Sequence, residues 1–129
     1  MSGWERALYV GLGGMLGALA RYWVGGWVQS RTGAVFPWGT LCVNLLGSFL
    51  LGLLMGVALR ENVPLSARLF LGVGVLGGFT TFSTLSYETL QLITGRSWGL
   101  ALLNAGGSFV ASLISAGLGI VVARAIGGA

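Results

Sequence analysis

Apolar residues crowd into four stretches of the chain, at about 7–28, 39–59, 67–93 and 99–123. Each is close to the ~20 residues with which a helix crosses the hydrocarbon of a bilayer. The connectors between them read QSRTGAVFPW, RENVPLS and TGRSW, and they hold both prolines and much of the charge. Trp4, Trp27, Trp38 and Trp98 fall near the ends of the stretches, where an amphipathic ring favours the headgroup zone. The pattern predicts an all-α integral membrane protein of four transmembrane helices, in a single domain over residues 1–129. The first run follows an acid and a tryptophan and has no evident cleavage site, so it reads as a retained span.

Polar positions inside the spans are few and ordered. Thr40, Asn44 and Ser48 recur every four residues in the second span, and Asn104, Ser108 and Ser112 do so in the fourth, with Ser115 close by. Residues at that interval share a helix face. Lipid cannot satisfy their hydrogen-bonding groups, so both stripes are expected to face protein or water. Two readings stand: glue between helices, or the lining of an anion path with neutral donors that do not trap the ion. Gly13–Gly17 and Gly52–Gly56, at spacing four, predict close helix packing. The likeness of NLLGSFLLGLL (44–54) to NAGGSFVASLI (104–114) is the resemblance common to small-residue membrane helices, not a repeat.

The third span is interrupted by GGFTTFSTLSYE at 77–88. Gly77 and Gly78 weaken a helix, while Thr80, Thr81, Ser83 and Thr84 offer the backbone other partners. A local break near mid-membrane is predicted. Its freed carbonyls and amides must be met by protein, water or an ion. Either a kink satisfied locally by the hydroxyls or an ion site of the kind built by discontinuous helices fits the pattern.

Composition narrows the classes. The chain is 55% hydrophobic and 8% charged, far from the approximately one-quarter charged content of soluble domains. Its net charge of +4 comes from singly scattered arginines that form no basic patch, so nucleic acid is not an expected partner. There is no histidine and a lone cysteine, Cys42, which excludes an intramolecular disulfide and leaves little for enzyme chemistry. With four spans, Arg6, Arg60, Arg68 and Arg124 share one side, and Arg31, Arg96 and Arg21 the other. So small a bias leaves two possibilities, a small protein with a weak signal or a chain that inserts both ways and pairs as an inverted dimer.

GGFTTFSTLSYE resembles the signature of the Fluc (CrcB) family of fluoride channels, and GxxGALARY at 14–22, PWGTLCVNLLGS at 37–48 and the polar fourth span agree with it in order. The resemblance covers nearly the whole chain. It implies an antiparallel, dual-topology homodimer in the cell inner membrane, with two fluoride pores and a structural sodium at the dimer interface. The sodium would be held by backbone carbonyls of Gly77 and Thr80 from both subunits. Phe82, Asn44, Thr81, Ser108 and Ser112 match pore positions, Leu85 stands where a second aromatic is usual, and Arg21 matches an arginine near the end of span 1, at a vestibule. Asn104 falls where some relatives have tyrosine.

The implied chemistry is intelligible. A phenyl ring has a positive edge that can stabilise a compact anion, and amide and hydroxyl donors can replace its water. Leu85 has no such edge. From position alone, Arg21 either snorkels to the interface or attracts anions, and Glu88 either caps local structure or pairs with an arginine. The implied function is passive export of fluoride from the cytoplasm, driven by the negative-inside voltage, which relieves fluoride toxicity. The alternative is a small four-helix proton-coupled multidrug antiporter, which needs a carboxylate deep in span 1; only Glu5 is present, at its entrance. A purely structural membrane subunit ranks last, because it leaves the combined motifs unexplained.

Overall fold

A computed structural model describes residues 1–127 and is helical throughout its long elements. Helix α1 runs Gly3–Thr32. Ser2 starts it with a reciprocal cap: its hydroxyl accepts from the Glu5 amide at 3.2 Å, and the Glu5 carboxylate accepts from the Ser2 amide at 2.7 Å. The only acid of α1 is thereby tied to its first turn. The helix stops at Gly33, whose φ of 57° is the left-handed geometry that glycine enters without steric cost.

The connection to α2 (Trp38–Ala58) is held by one side chain. Gln29 Nε2 donates to the carbonyls of Ala34 and Phe36 at 3.0 and 3.2 Å, and its Oε1 accepts from the Gly39 amide at 3.0 Å. A turn that Pro37 leaves short of a donor is thus satisfied by the preceding helix.

The third arm begins after Pro64 and is discontinuous. Its first piece, α3 (residues 65–79), is π-helical over Arg68–Leu76; its second, α4, is Phe82–Thr94. Thr80 and Thr81 between them are extended, with ψ of 156° and 122°. The expected break is present, two to three residues beyond the glycines credited with weakening the helix. Gly77 and Gly78 remain helical. Gly78 serves packing instead: a Cβ there would lie 2.6 Å from the Gly14 carbonyl oxygen of α1. Helix α5 (Trp98–Ile126) follows, with a second π-helical stretch at Leu103–Gly107. Neither π segment was anticipated; such turns insert an extra residue and recur at functional sites.

Small residues set the packing. Gly13, Gly17, Gly74 and Gly78 bring α1 and α3 backbone to backbone, and Gly52 and Gly119 do the same for α2 and α5. The interior is correspondingly thin, with Val43, Leu76, Phe79 and Leu92 among its few buried large apolar side chains. Outward faces are oily, as at Leu102, Leu113 and Val121. That distribution suits a lipid or partner surround rather than water.

Three stretches, Trp38–Ala58, Leu65–Thr94 and Trp98–Ile126, are long and apolar enough to cross a membrane. Helix α1 has the length, at 30 residues, but glycines and Arg21 dilute its apolar character.

Candidate functional site

The site is built around the break. Thr81, in the extended conformation (φ −149°, ψ 122°), presents both its backbone groups to α2. There the Asn44 side chain answers them as a neighbouring strand would: Oδ1 accepts from the Thr81 amide at 2.8 Å, and Nδ2 donates to the Thr81 carbonyl at 3.0 Å. Asn44 is only 8% exposed, so unpaired amide atoms here would be costly. Thr81 Oγ1 in turn caps α4 by accepting from the Thr84 amide at 3.2 Å.

These bonds redirect two amides. In an uninterrupted helix the Thr81 amide bonds the Gly77 carbonyl and the Thr84 amide bonds the Thr80 carbonyl. Asn44 takes the first and the Thr81 hydroxyl the second. The Gly77 and Thr80 carbonyls thereby lose their helical partners. The Thr80 side chain stays local, donating to the Leu76 carbonyl at 3.0 Å.

A groove of about 690 Å³ opens beside the break, between α2, α4 and α5. Asn44, Thr81, Phe82, Leu85, Ser108 and Ser112, expected at separate points of the chain to line one path, all lie on its wall. Phe82 is 80% exposed on the protomer, a large ring held outward beside hydroxyls. Phe109, Ser86 and Thr89 also line the groove and were not singled out from the sequence. For Phe109 a signal existed, since it follows Ser108 in the polar stripe of span 4. It puts a second aromatic ring in the groove that Leu85 does not supply.

Arg21 lies in a second cavity, of about 480 Å³, between α1, α2 and α4, with Thr40, Thr84 and Glu88. Thr81 borders both cavities. Glu88 accepts from the Thr40 hydroxyl at 2.8 Å, so it engages α2 rather than an arginine through that oxygen. Arg21 Nε and Glu88 Oε2 are buried without a hydrogen-bond partner.

The polar stripes therefore divide their labour. Thr40 and Asn44 tie α2 to the third arm, while Ser48 faces the groove. Asn104 is fully buried and joins α5 to α4, Ser108 and Ser112 reach the groove, and Ser115 turns away to donate to the Leu45 carbonyl at 2.7 Å. Among the described residues no group of three or more His, Cys, Asp or Glu side chains could hold a metal ion. A cation at the break would have to take its oxygen donors from the backbone, and the released carbonyls of Gly77 and Thr80 are of the type that a hard monovalent ion accepts.

An α-helical membrane protein with a broken arm beside a polar, aromatic groove is the class these features define. Within it, the chain belongs to the CrcB family: residues 8–120 match the model described as "CrcB-like protein, Camphor Resistance (CrcB)". It is 56% identical over 126 residues to a fluoride-specific ion channel FluC of Thermus thermophilus, covering 98% of this chain and 99% of the relative. It is also 48% identical over 121 residues to the fluoride-specific ion channel FluC of Sorangium cellulosum, covering 93% and 95%. The antiporter alternative finds no support in these relatives, and Glu5 is held in a helix cap.

Proposed function

We propose that this chain is a passive fluoride-selective ion channel of the cell inner membrane, crossing the bilayer four times and exporting fluoride from the cytoplasm. The observation that carries the reading is the groove in which Asn44, Thr81, Phe82, Ser108 and Ser112 converge beside the break. Relatives that share almost the full length bear the fluoride-channel name.

The residues present suit a small, strongly hydrated anion. Asn44 uses one Nδ2 hydrogen on Thr81, which leaves the other for an ion. Hydroxyls of Ser108 and Ser112 add donors, and the edges of Phe82 and Phe109 add positive quadrupolar potential without a proton to exchange. Among the described residues no fixed cation lines the groove itself, so passage is not halted by tight binding. The Arg21 cavity, which shares the Thr81 wall with the groove, is the vestibule of this reading. Negative-inside voltage supplies the driving force, at about 2.3 kcal/mol per charge per 100 mV.

The working unit of this reading is an antiparallel homodimer of dual topology, with two pores and a sodium ion between the breaks. Gly77 is exposed on the protomer and Thr80 half-buried, so the break lies at the protomer surface, where a symmetry mate would meet it. Two carbonyls from each copy would give a cation four oxygens, and its charge would lower the barrier for an anion nearby.

The test is fluoride efflux from liposomes containing the purified protein, with chloride as the comparison. Rapid fluoride loss with chloride retained is expected. Equal loss of both ions, or loss of neither, rejects the reading.

A further inference from the structure

Asn104 is the most enclosed polar side chain among the described residues, at 0% exposure, and it does not line the groove. It nevertheless connects two hydroxyls that do. Ser108 Oγ donates to Asn104 Oδ1 at 3.5 Å, Asn104 Nδ2 donates to Thr89 Oγ1 at 2.9 Å, and Thr89 Oγ1 donates to the Leu85 carbonyl at 2.7 Å. The series begins at Ser108, next to the π-helical turn Leu103–Gly107 that carries Asn104, and ends on α4.

The hydrogen bonds give this series one proton direction. A threonine hydroxyl has one hydrogen, and that of Thr89 is engaged by a short bond to Leu85. Thr89 can then only accept, so Asn104 must turn its amino group toward Thr89 and its oxygen toward Ser108. The serine proton therefore has a resting acceptor behind the groove wall. Its contact, at 3.5 Å, is longer than the roughly 2.5–3.0 Å of an ordinary hydroxyl-to-oxygen bond, so it is weak and easily given up.

From this geometry we infer that Asn104 is a positioning residue that competes with the permeating anion for the Ser108 proton. The inference rests on the channel reading above. In the empty groove the proton points to Asn104; an arriving anion draws it outward, and as the anion leaves, the proton returns. No covalent bond forms or breaks. The competition weakens the hold of Ser108 on the ion, and conduction needs binding loose enough for release.

The experiment is single-channel recording in planar bilayers as fluoride concentration is varied, with Asn104→Leu, Thr89→Val and Ser108→Ala. Asn104→Leu removes the competing acceptor. Half-saturating fluoride should fall roughly two- to fivefold, the share of one weak hydrogen bond, and maximal current should fall with it. Thr89→Val takes away the acceptor that orients the amide and should act in the same direction, which serves if Asn104→Leu does not fold. In a Ser108→Ala background neither change should move half-saturation. A loss of current with half-saturation unmoved in both variants, or an equal shift without Ser108, overturns the inference. If the unaltered protein passes no fluoride, the channel reading itself fails, a result separate from either.

Discussion

The Asn44 carboxamide of α2 bonds both backbone groups of Thr81, at 2.8 and 3.0 Å, and so takes the place of the helix that is missing at the break. One side chain satisfies the groups that lipid cannot, and it does so on the wall of the groove. The residue that holds the break is therefore also one that the proposed pore would use.

Asn44→Ala should leave the Thr81 amide and carbonyl without partners. With each unsatisfied group costing approximately 1–3 kcal/mol, and Thr81 half-buried, a loss of about 2 kcal/mol is expected. Unfolding in detergent monitored by tryptophan fluorescence measures it, and fluoride flux should fall as well. Wild-type stability in the variant would show that the break is held by something else.

Phe82→Ile should reduce fluoride flux severalfold at least while stability changes by only about 0.5 kcal/mol, because the ring is 80% exposed on the protomer. Phe109→Leu should act in the same sense, since Leu85 provides no ring edge in the shared groove. Liposome efflux, with elution volume as the control for assembly, distinguishes a permeation defect from misfolding.

Gly78→Ala and Gly77→Ala should part company. The first puts a methyl group 2.6 Å from the Gly14 carbonyl, which belongs to a packed helix backbone and cannot step aside. A loss of roughly 1–3 kcal/mol is expected. For Gly77 the nearest atom is 3.8 Å away, an ordinary contact, so the isolated protomer accommodates it. Thermal unfolding of the two variants side by side is the measurement.

Arg96→Gly should stabilise the protein by about 1 kcal/mol. Arg96 has φ of 58° and ends α4 in a left-handed turn, closed by bonds from the Arg96 amide to the Ile93 carbonyl at 2.9 Å and from the Ser97 amide to the Leu92 carbonyl at 2.8 Å. Glycine takes that conformation without the clash of a Cβ. A higher midpoint of thermal unfolding is the expected result, and a lower one would mean the arginine side chain contributes more than its strain costs.

Exchange of sodium for a bulky organic cation should weaken the proposed dimer, since four carbonyl oxygens facing one another would repel without a cation between them. Size-exclusion profiles at low protein concentration, with and without sodium, test this. Identical profiles would remove the ion from the assembly.

The four helical arms, three of them long and apolar enough to cross a membrane, and the interruption of the third were legible in the chain, because hydropathy and glycine or hydroxyl content act locally. Six positions meet on the groove wall: helical spacing had already marked Asn44, Ser108 and Ser112, while Phe82 and Leu85 came through resemblance and Thr81 through both the polar tract and resemblance. Their roles were less accessible. Gly77 and Gly78 looked like the helix breakers, but Gly78 is a packing contact, and the break belongs to Thr80 and Thr81 because Asn44, thirty-seven residues away, captures the Thr81 amide. Ser115 appeared to extend the polar stripe until its bond to Leu45 turned it toward α2. The tryptophan positions and arginine scatter described the solvent but not which polar faces would meet.

Amino-acid order by itself determined the solvent, the helical arms and the polar tract that cannot continue as a helix, since each follows from the chemistry of neighbouring residues. Three-dimensional packing decided which amide is diverted, which hydroxyl faces the groove and which way the Asn104 amide points. Those outcomes depend on hydrogen bonds between distant helices, and one-residue differences of rotation decide them.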